Sequence, residues 1–330
     1  MQDSNDMNLL RALLSMAVIA FCAALAPGAV AQGFGPAPTR ILLAFEGGSS
    51  RAVAFQLAER AQVQMGRTVI VEERPGATGR IAAMALKNAA PDGTTLAYLP
   101  IAVPVLAPLT FKDVHYDPTH DFAPVSQIAT YTLALAVPPN HPARSMPEFI
   151  AWLKTHPDKA FYGSPAAGAL PHFLGIMISR ETGVELTHVA YKGFPPMSID
   201  LMEGTISSGI SGVSDLIDLH RAGRLRIIAT SGTRRVPQLP DVPTFIEQGY
   251  PSVVATGWAG VFAPARTPKA VIDQWSRALV ETVRSPATQK LLLDFGVEPT
   301  GTTPEVFGRI LAEDIARWAP VVKASGFRAD

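Results

Sequence analysis

Apolar residues fall along this chain in short unbroken runs that alternate with longer stretches of helical spacing. The run Ile41-Leu42-Leu43-Ala44-Phe45 reads as a buried strand, and after Glu46-Gly47-Gly48-Ser49-Ser50 the positions Ala52, Val53, Phe55, Leu57 and Ala58 form a helical stripe ending at Gly66. The same order recurs: a strand over 68–72, a helix over 79–88 and a strand over 95–99 behind the turn Pro91-Asp92-Gly93. A strand over 131–137 follows, and Ser145-Met146-Pro147-Glu148 opens a helix as a capping box with proline in the first turn. A second series has strands over 161–164, 185–189, 205–210 and 225–230, with a loop and a helix through Thr182 behind the first of them. A late strand covers 257–262, and the chain closes on two amphipathic helices, one with Val271, Trp275, Ala278 and Leu279 on its face, the other with Phe307, Ile310, Leu311, Ile315 and Trp318.

Strands separated by helices predict an α/β protein with a parallel sheet. Two βα series, with one strand passing between them near Tyr131 and another returning near Trp258, predict two lobes joined by a two-strand hinge. Lobe 1 is then discontinuous, 39–130 plus 257–330, and lobe 2 is 131–256. Ligands of such sheets bind beyond the carboxyl ends of the strands. The loops from Glu46 to Ser50 and from Gly163 to Ala169 are expected to face each other across a cleft, each ahead of a helix whose free N–H groups suit a carboxylate or similar anion.

The N-terminus reads differently. From Ala12 to Ala26 the sequence is apolar, preceded by Arg11 and followed by Gly28-Ala29-Val30-Ala31, the pattern of a cleavable secretory signal over residues 1–31. Asp3 and Asp6 sit badly in a region that should be positive, so translation is expected to start at Met7. The run is short for a bilayer span, and bulky Phe21 before Cys22, the one cysteine, argues against a lipid anchor. A mature chain without cysteine suits an oxidising compartment, here the periplasm. Over the whole chain 28 Lys and Arg balance 28 Asp and Glu, so there is no excess positive charge to neutralise a nucleic acid or an anionic membrane.

No reactive constellation stands out. His115-Tyr116-Asp117-Pro118-Thr119-His120-Asp121 gathers imidazoles and carboxylates, but Pro118 places them in a turn, where the aspartates cap rather than ligate a metal. Ser49, Ser50 and Ser164 lie outside any G-x-S-x-G, so their hydroxyls serve as hydrogen-bond donors. Gly76-Ala77-Thr78-Gly79 lacks a P-loop lysine and a dinucleotide fingerprint and reads as a structural turn. No metal, cofactor or catalysis is expected. His172 either touches ligand or packs against its neighbours, Lys192 is either a cleft cation or solvated, and Trp258 is expected in hinge packing.

The order of short motifs resembles the substrate-binding proteins of tripartite tricarboxylate transporters, also called the Bug family of periplasmic receptors. The resemblance runs from Thr39 to Phe327: the strand and GG loop at 41–49, Val71-Glu72-Glu73-Arg74-Pro75-Gly76-Ala77, Ala90-Pro91-Asp92-Gly93 and Tyr116-Asp117-Pro118. Further along come Asp121-Phe122-Ala123-Pro124-Val125, Tyr162-Gly163-Ser164, Thr187-His188-Val189-Ala190-Tyr191-Lys192-Gly193, Leu239-Pro240-Asp241-Val242-Pro243-Thr244 and Trp258-Ala259-Gly260-Val261-Phe262-Ala263-Pro264. It implies a type II periplasmic-binding-protein fold, a monomer that closes on a small carboxylate for two membrane subunits of a transporter, or an orphan sensor where such subunits are missing. With the loop reading, the candidate contacts are Phe45, Gly47, Gly48, Ser49, Ser50 and Arg51, then Ser164, Ala166, Ala167, Gly168, Ala169 and His172, with Lys192 and Ser211.

The chain also departs from the family. Where members read F-P-A-G-G-x-x-D, Phe45 to Arg51 is one residue shorter and ends in a guanidinium; where they have V-x-F-D, the aligned stretch is Ser208-Gly209-Ile210-Ser211; and Pro100-Ile101-Ala102 is apolar. An arginine in the first turn of a helix opposes the macrodipole, so Arg51 is expected to pair either with Glu46 or with the ligand carboxylate. With both family aspartates absent, the expected ligand is a carboxylate with a neutral, partly apolar body rather than an amino acid.

Overall fold

The first strand among the described residues is β1 (Thr39–Leu43), whose Ile41, Leu42 and Leu43 are almost wholly shielded. The structure, a computed structural model, describes residues 37–45 and 48–329, all within one unit, Gly35–Asp330. The expected signal over 1–31, with Met7 and Cys22, lies outside the described residues, as do Glu46 and Gly47 and the side chain of Ser49.

After β1 come helix α1 (Gly48–Met65), β2 (Val69–Glu73), α2 (Arg80–Lys87) and β3 (Thr95–Pro100). Short α3 (Ala107–Thr110) and α4 (Pro118–Asp121) lead into a long strand, β4 (Phe122–Val137). The second series is α5 (Met146–Thr155), β5 (Phe161–Ser164), α6 (Leu170–Thr182), β6 (Thr187–Ala190), α7 (Phe194–Glu203), β7 (Ser208–Gly212), α8 (Val213–Arg221) and β8 (Arg226–Thr230). Then β9 (Thr256–Pro264), α9 (Lys269–Arg284), α10 (Pro286–Asp294), β10 (Glu298–Pro299) and α11 (Pro304–Ser325) close the chain.

The sheet is mixed rather than parallel throughout. Its order is β2-β1-β3-β9-β4-β7-β5-β6, with β8 and β10 also on β4. Two parallel sets, β2-β1-β3 and β7-β5-β6, flank an antiparallel pair, β9 and β4. The physical reason is that β4 and β9 carry the chain between the two series in opposite directions, so they can only meet antiparallel. In β4, Phe122 to Thr132 lies along β9, whereas Leu133 to Val137 lies along β7 and β8. The segments around Tyr131 and Trp258 therefore run side by side, in the register Thr130↔Trp258 and Tyr131↔Gly257.

Helices α9 and α11 cover β4, and the fully buried Trp258, Trp275 and Trp318 anchor this packing. Trp258 is 2% exposed, donates its Nε1–H to Asp314 Oδ2 at 2.6 Å and meets Phe307 edge-on. The largest core cluster runs from Leu42 and Leu99 through Leu133 and Leu135 to Phe149 and Phe173, and a smaller one gathers Met197, Leu201, Leu216 and Ile227. Local signals are realised in detail. Asp117 caps α4 by accepting from the Thr119 N–H at 2.8 Å, and residues 76–79 form a turn with positive φ at all four positions. Ser145 accepts from Glu148 N–H, while Glu148 Oε2 accepts from Arg144 N–H at 2.7 Å. Ser145→Ala should therefore lower stability by about 1 kcal/mol, read as a fall of a few degrees in thermal denaturation.

Candidate functional site

The ends of three strands converge on one hollow. β3 ends at Pro100, where the chain turns into a wide, largely buried helical segment, Ala102–Leu106; β7 ends in Ser211-Gly212 and passes straight into α8; β5 ends at Ser164, ahead of Pro165 and of Pro171 in the first turn of α6. With Ser50 from α1 and Tyr131 from β4, these residues line a cavity of about 260 Å³. Ala129, Leu133, Ala259 and Val297 give it apolar walls; Tyr98, Tyr131, Ser211 and Asp215 give it polar atoms. Small, mostly apolar cavities with a few convergent polar groups are where small ligands are held and oriented.

Asp215 is the acid that the sequence alignment left out. It sits in the first turn of α8, where Ser211 Oγ donates to its Oδ2 at 2.5 Å. The second family aspartate is absent at 211, but a carboxylate returns four residues later, so the cavity does contain an acid and the expectation of none is corrected. Asp215 is exposed to solvent, but neighbouring protein groups displace part of the water around its carboxyl. This incomplete hydration pushes its carboxyl above the ordinary value, while the hydrogen bonds from Ser211 and from the Gly212 N–H pull the other way. Burial raises the phenols of Tyr98 and Tyr131 as well, with Asp215 adding to the effect on Tyr131, so both hydroxyls stay protonated. Neither hydroxyl has a hydrogen-bond partner among the described residues. Neither tyrosine is among the expected contacts; in the sequence Tyr131 only marks the strand between the two series, and Tyr98 is only part of the strand over 95–99.

The other predicted contacts are distributed as follows. Ser50 and Ser211 line the cavity, and Phe45 is half-buried against the core beside Gly79. Arg51 does not line it. Its guanidinium lies 3.2 Å from Glu73 at the end of β2 and 5.5 Å from the Phe55 ring, so the compensation its position demands comes from a residue the sequence did not suggest. Ala166, Ala167, Gly168 and Ala169 form a loop beside the cavity, with Gly168 close against Phe327. Lys192 is exposed and off the cavity.

Ser164 and His172 are interior supports of that loop. Ser164 is fully buried, with Oγ 2.7 Å from His188 Nε2 and donating to Ala166 O at 3.1 Å. His172 is 6% exposed, its Nδ1 accepts from Gly168 N–H at 3.0 Å, and its ring stacks on His188 with centroids 3.9 Å apart. The ring is packed among Gly168, Phe173, His188 and Phe327. Among the described residues no group of His, Cys, Asp and Glu is arranged to hold a metal ion.

Comparison with known proteins places the fold. Residues 53–327 match the sequence model of the TctC family, described as the tripartite tricarboxylate transporter family receptor. The chain belongs to that family. It is 30% identical to protein BugT of Bordetella pertussis over 322 residues, 97% of this chain and 99% of BugT. Among solved structures it is similar to R. palustris Rpa4515 with adipate, at 30% identity and a TM-score of 0.78 over 89% of this chain and 99% of that one. It is also similar to MatC of Rhodopseudomonas palustris with bound malate, at 26% identity and a TM-score of 0.74 over 87% of this chain and 100% of that one. The α/β fold is thus that of the periplasmic solute-binding proteins of the TctC and Bug type, a transport-associated family. No helix among the described residues is long and apolar enough to cross a membrane.

Proposed function

We propose that this chain is exported by its N-terminal signal to the periplasm and there captures a small carboxylate without transforming it. Its two lobes, 39–130 with 257–330 and 131–256, close around the Tyr131–Asp215 cavity, and the loaded form delivers its ligand to the membrane subunits of a tripartite tricarboxylate-type transporter. The observation that carries this reading is the make-up of the cavity walls. Ser50, Tyr98 and Pro100 come from one side of the β4–β9 pair, Pro165, Pro171, Ser211 and Asp215 from the other, so rotation about that pair would open or shut it.

The solved relatives with adipate and malate support a small acid as cargo. Among the described residues no lysine, arginine or histidine lines the cavity, so the carboxylate is held by neutral donors: the Ser50 and tyrosine hydroxyls and the N–H groups of the first turn of α1. Neutral donors in a partly dry site hold an anion without the desolvation cost of a buried cation.

A thermal-shift panel of aliphatic dicarboxylates, aromatic acids and amino acids tests the reading. At a hundred times its dissociation constant a ligand adds about 2.7 kcal/mol, which should raise the melting temperature by several degrees. X-ray scattering should show a more compact particle with that ligand. Absence of any shift across the panel, or chemical turnover of a bound acid, would overturn the proposal.

A further inference from the structure

The charges in and around the cavity are unbalanced. Among the described residues Asp215 is the one ionisable group of the wall apart from the two tyrosines, and no cation lines the cavity. The nearby arginines are engaged elsewhere: Arg51 with Glu73 at 3.2 Å, Arg234 with Glu298 at 2.6 Å, and Arg221 beside Asp218 at 4.0 Å. Ser211 Oγ–H and the Gly212 N–H supply donors to the carboxylate, which favour its ionised form. A carboxylate offers about four acceptor positions, so these two donors leave acceptors turned to the cavity. A second hollow, of about 630 Å³, adjoins the first through Ser214 and Asp215; Asp218 and Arg221 in its wall lie 4.0 Å apart and Asp294 is paired with Lys290 at 2.6 Å, which leaves Asp215 as the carboxylate there without a cationic partner among the described residues. The approach to Asp215 therefore carries negative charge. An anion placed there would meet repulsion, whereas an ammonium group would find an acceptor already fixed in place.

We infer that the ligand of this chain carries an ammonium group as well as its carboxylate, and that Asp215, held by Ser211, receives the ammonium and sets the specificity of the site. This rests on the carboxylate-receptor reading and narrows it to amine-bearing acids. The structural alternative is that Asp215 only caps α8, since an acid in the first turn of a helix stabilises it by itself. The two roles differ in what they do to ligand preference.

Titration calorimetry with matched pairs separates them: aspartate against succinate, glutamate against glutarate, and 4-aminobutyrate against butyrate. The wild-type protein should bind the best amine-bearing acid at least about tenfold more tightly than its nitrogen-free partner. Asp215→Asn keeps an acceptor for Ser211 and Gly212 but no charge; it should erase that preference and improve binding of the nitrogen-free acid. Tighter binding of the nitrogen-free partners by the wild type overturns the inference alone, and it can be read even if the variant does not fold. An unchanged preference in Asp215→Asn overturns it too. If no acid of either kind binds, the receptor reading falls and the inference falls with it.

Discussion

Replacement of Gly257 by alanine is expected to cost the protein both its ligand and several degrees of melting temperature. Gly257 lies opposite Tyr131 in the β4–β9 ladder, and a Cβ there would stand 2.0 Å from Tyr131 Cζ, 2.2 Å from Cε2 and 2.5 Å from the hydroxyl. The two backbones have little freedom to part. Ladder pairs flank the position at Thr130↔Trp258 and Thr132↔Thr256, and Trp258 is tied to Asp314. The ring must move instead, and its open side is the cavity it lines. Overpacking of this kind costs about 1–3 kcal/mol, and each kcal/mol is worth about 2–4 °C for chains near this size. Thermal denaturation and calorimetry on Gly257→Ala and on Gly257→Ala/Tyr131→Ala distinguish the causes. Removing the ring should restore stability lost to the clash, while binding stays impaired because a wall of the cavity is gone. Wild-type affinity in Gly257→Ala would mean that Tyr131 is no part of the site.

The contrast between what was legible in the sequence and what was not follows from the range of the interactions. The strands at 39–43 and 69–73, the capping box at Ser145 and the turn at 76–79 are local, and their residues carry the signal themselves. The first half of β4 escaped notice because the ladder shifts register between Pro124 and Ser126 and again between Gln127 and Ala129, which breaks the alternation a strand would otherwise show. Helix α10 is nine residues long, with Thr288 and Leu292 as its buried positions, too few to declare a stripe. Two helices were expected at the end of the chain, and three are found. The cavity was half legible. Strand ends and small-residue loops pointed to its place, but Tyr98, Tyr131 and Asp215 meet only through the sheet order β3-β9-β4-β7, a tertiary fact. Arg51 shows the same limit. Dipole physics demanded a counter-charge, and parallel pairing of β1 with β2, in the register Leu43↔Glu73, decided which carboxylate supplies it.

Mild acid should loosen the loop beside the cavity before it unfolds the rest, and the stacked pair His172 and His188 is the reason. Burial lowers His172 from the ordinary 6.5 to about 4; burial, then the neighbouring His172, does the same to His188. The hydrogen bond from Gly168 N–H to His172 Nδ1 requires that nitrogen to be bare, so protonation there would set donor against donor. Two imidazolium rings stacked 3.9 Å apart would also repel each other. Because the unfolded chain takes up these protons near pH 6.5 and the folded chain only near 4, the unfolded state binds more protons between those values. Stability is then highest above pH 6.5, falls as pH drops toward 4 and flattens below it. Two such groups give a slope of up to about a hundredfold in the unfolding equilibrium per pH unit, reduced by whatever solvent reaches the half-buried His188. Carboxylates titrate in the lower part of the same window, so the comparison is between proteins: melting temperature from pH 8 to pH 4 for the wild type and for His172→Asn/His188→Gln. The asparagine oxygen can still accept from Gly168. The double variant should lose the part of the decline that begins near pH 6.5 while keeping the carboxylate part, and the protection of the amides of 166–169 against hydrogen exchange should lose its acid sensitivity. Superimposable profiles would show that the histidine pair bears no part of the acid response.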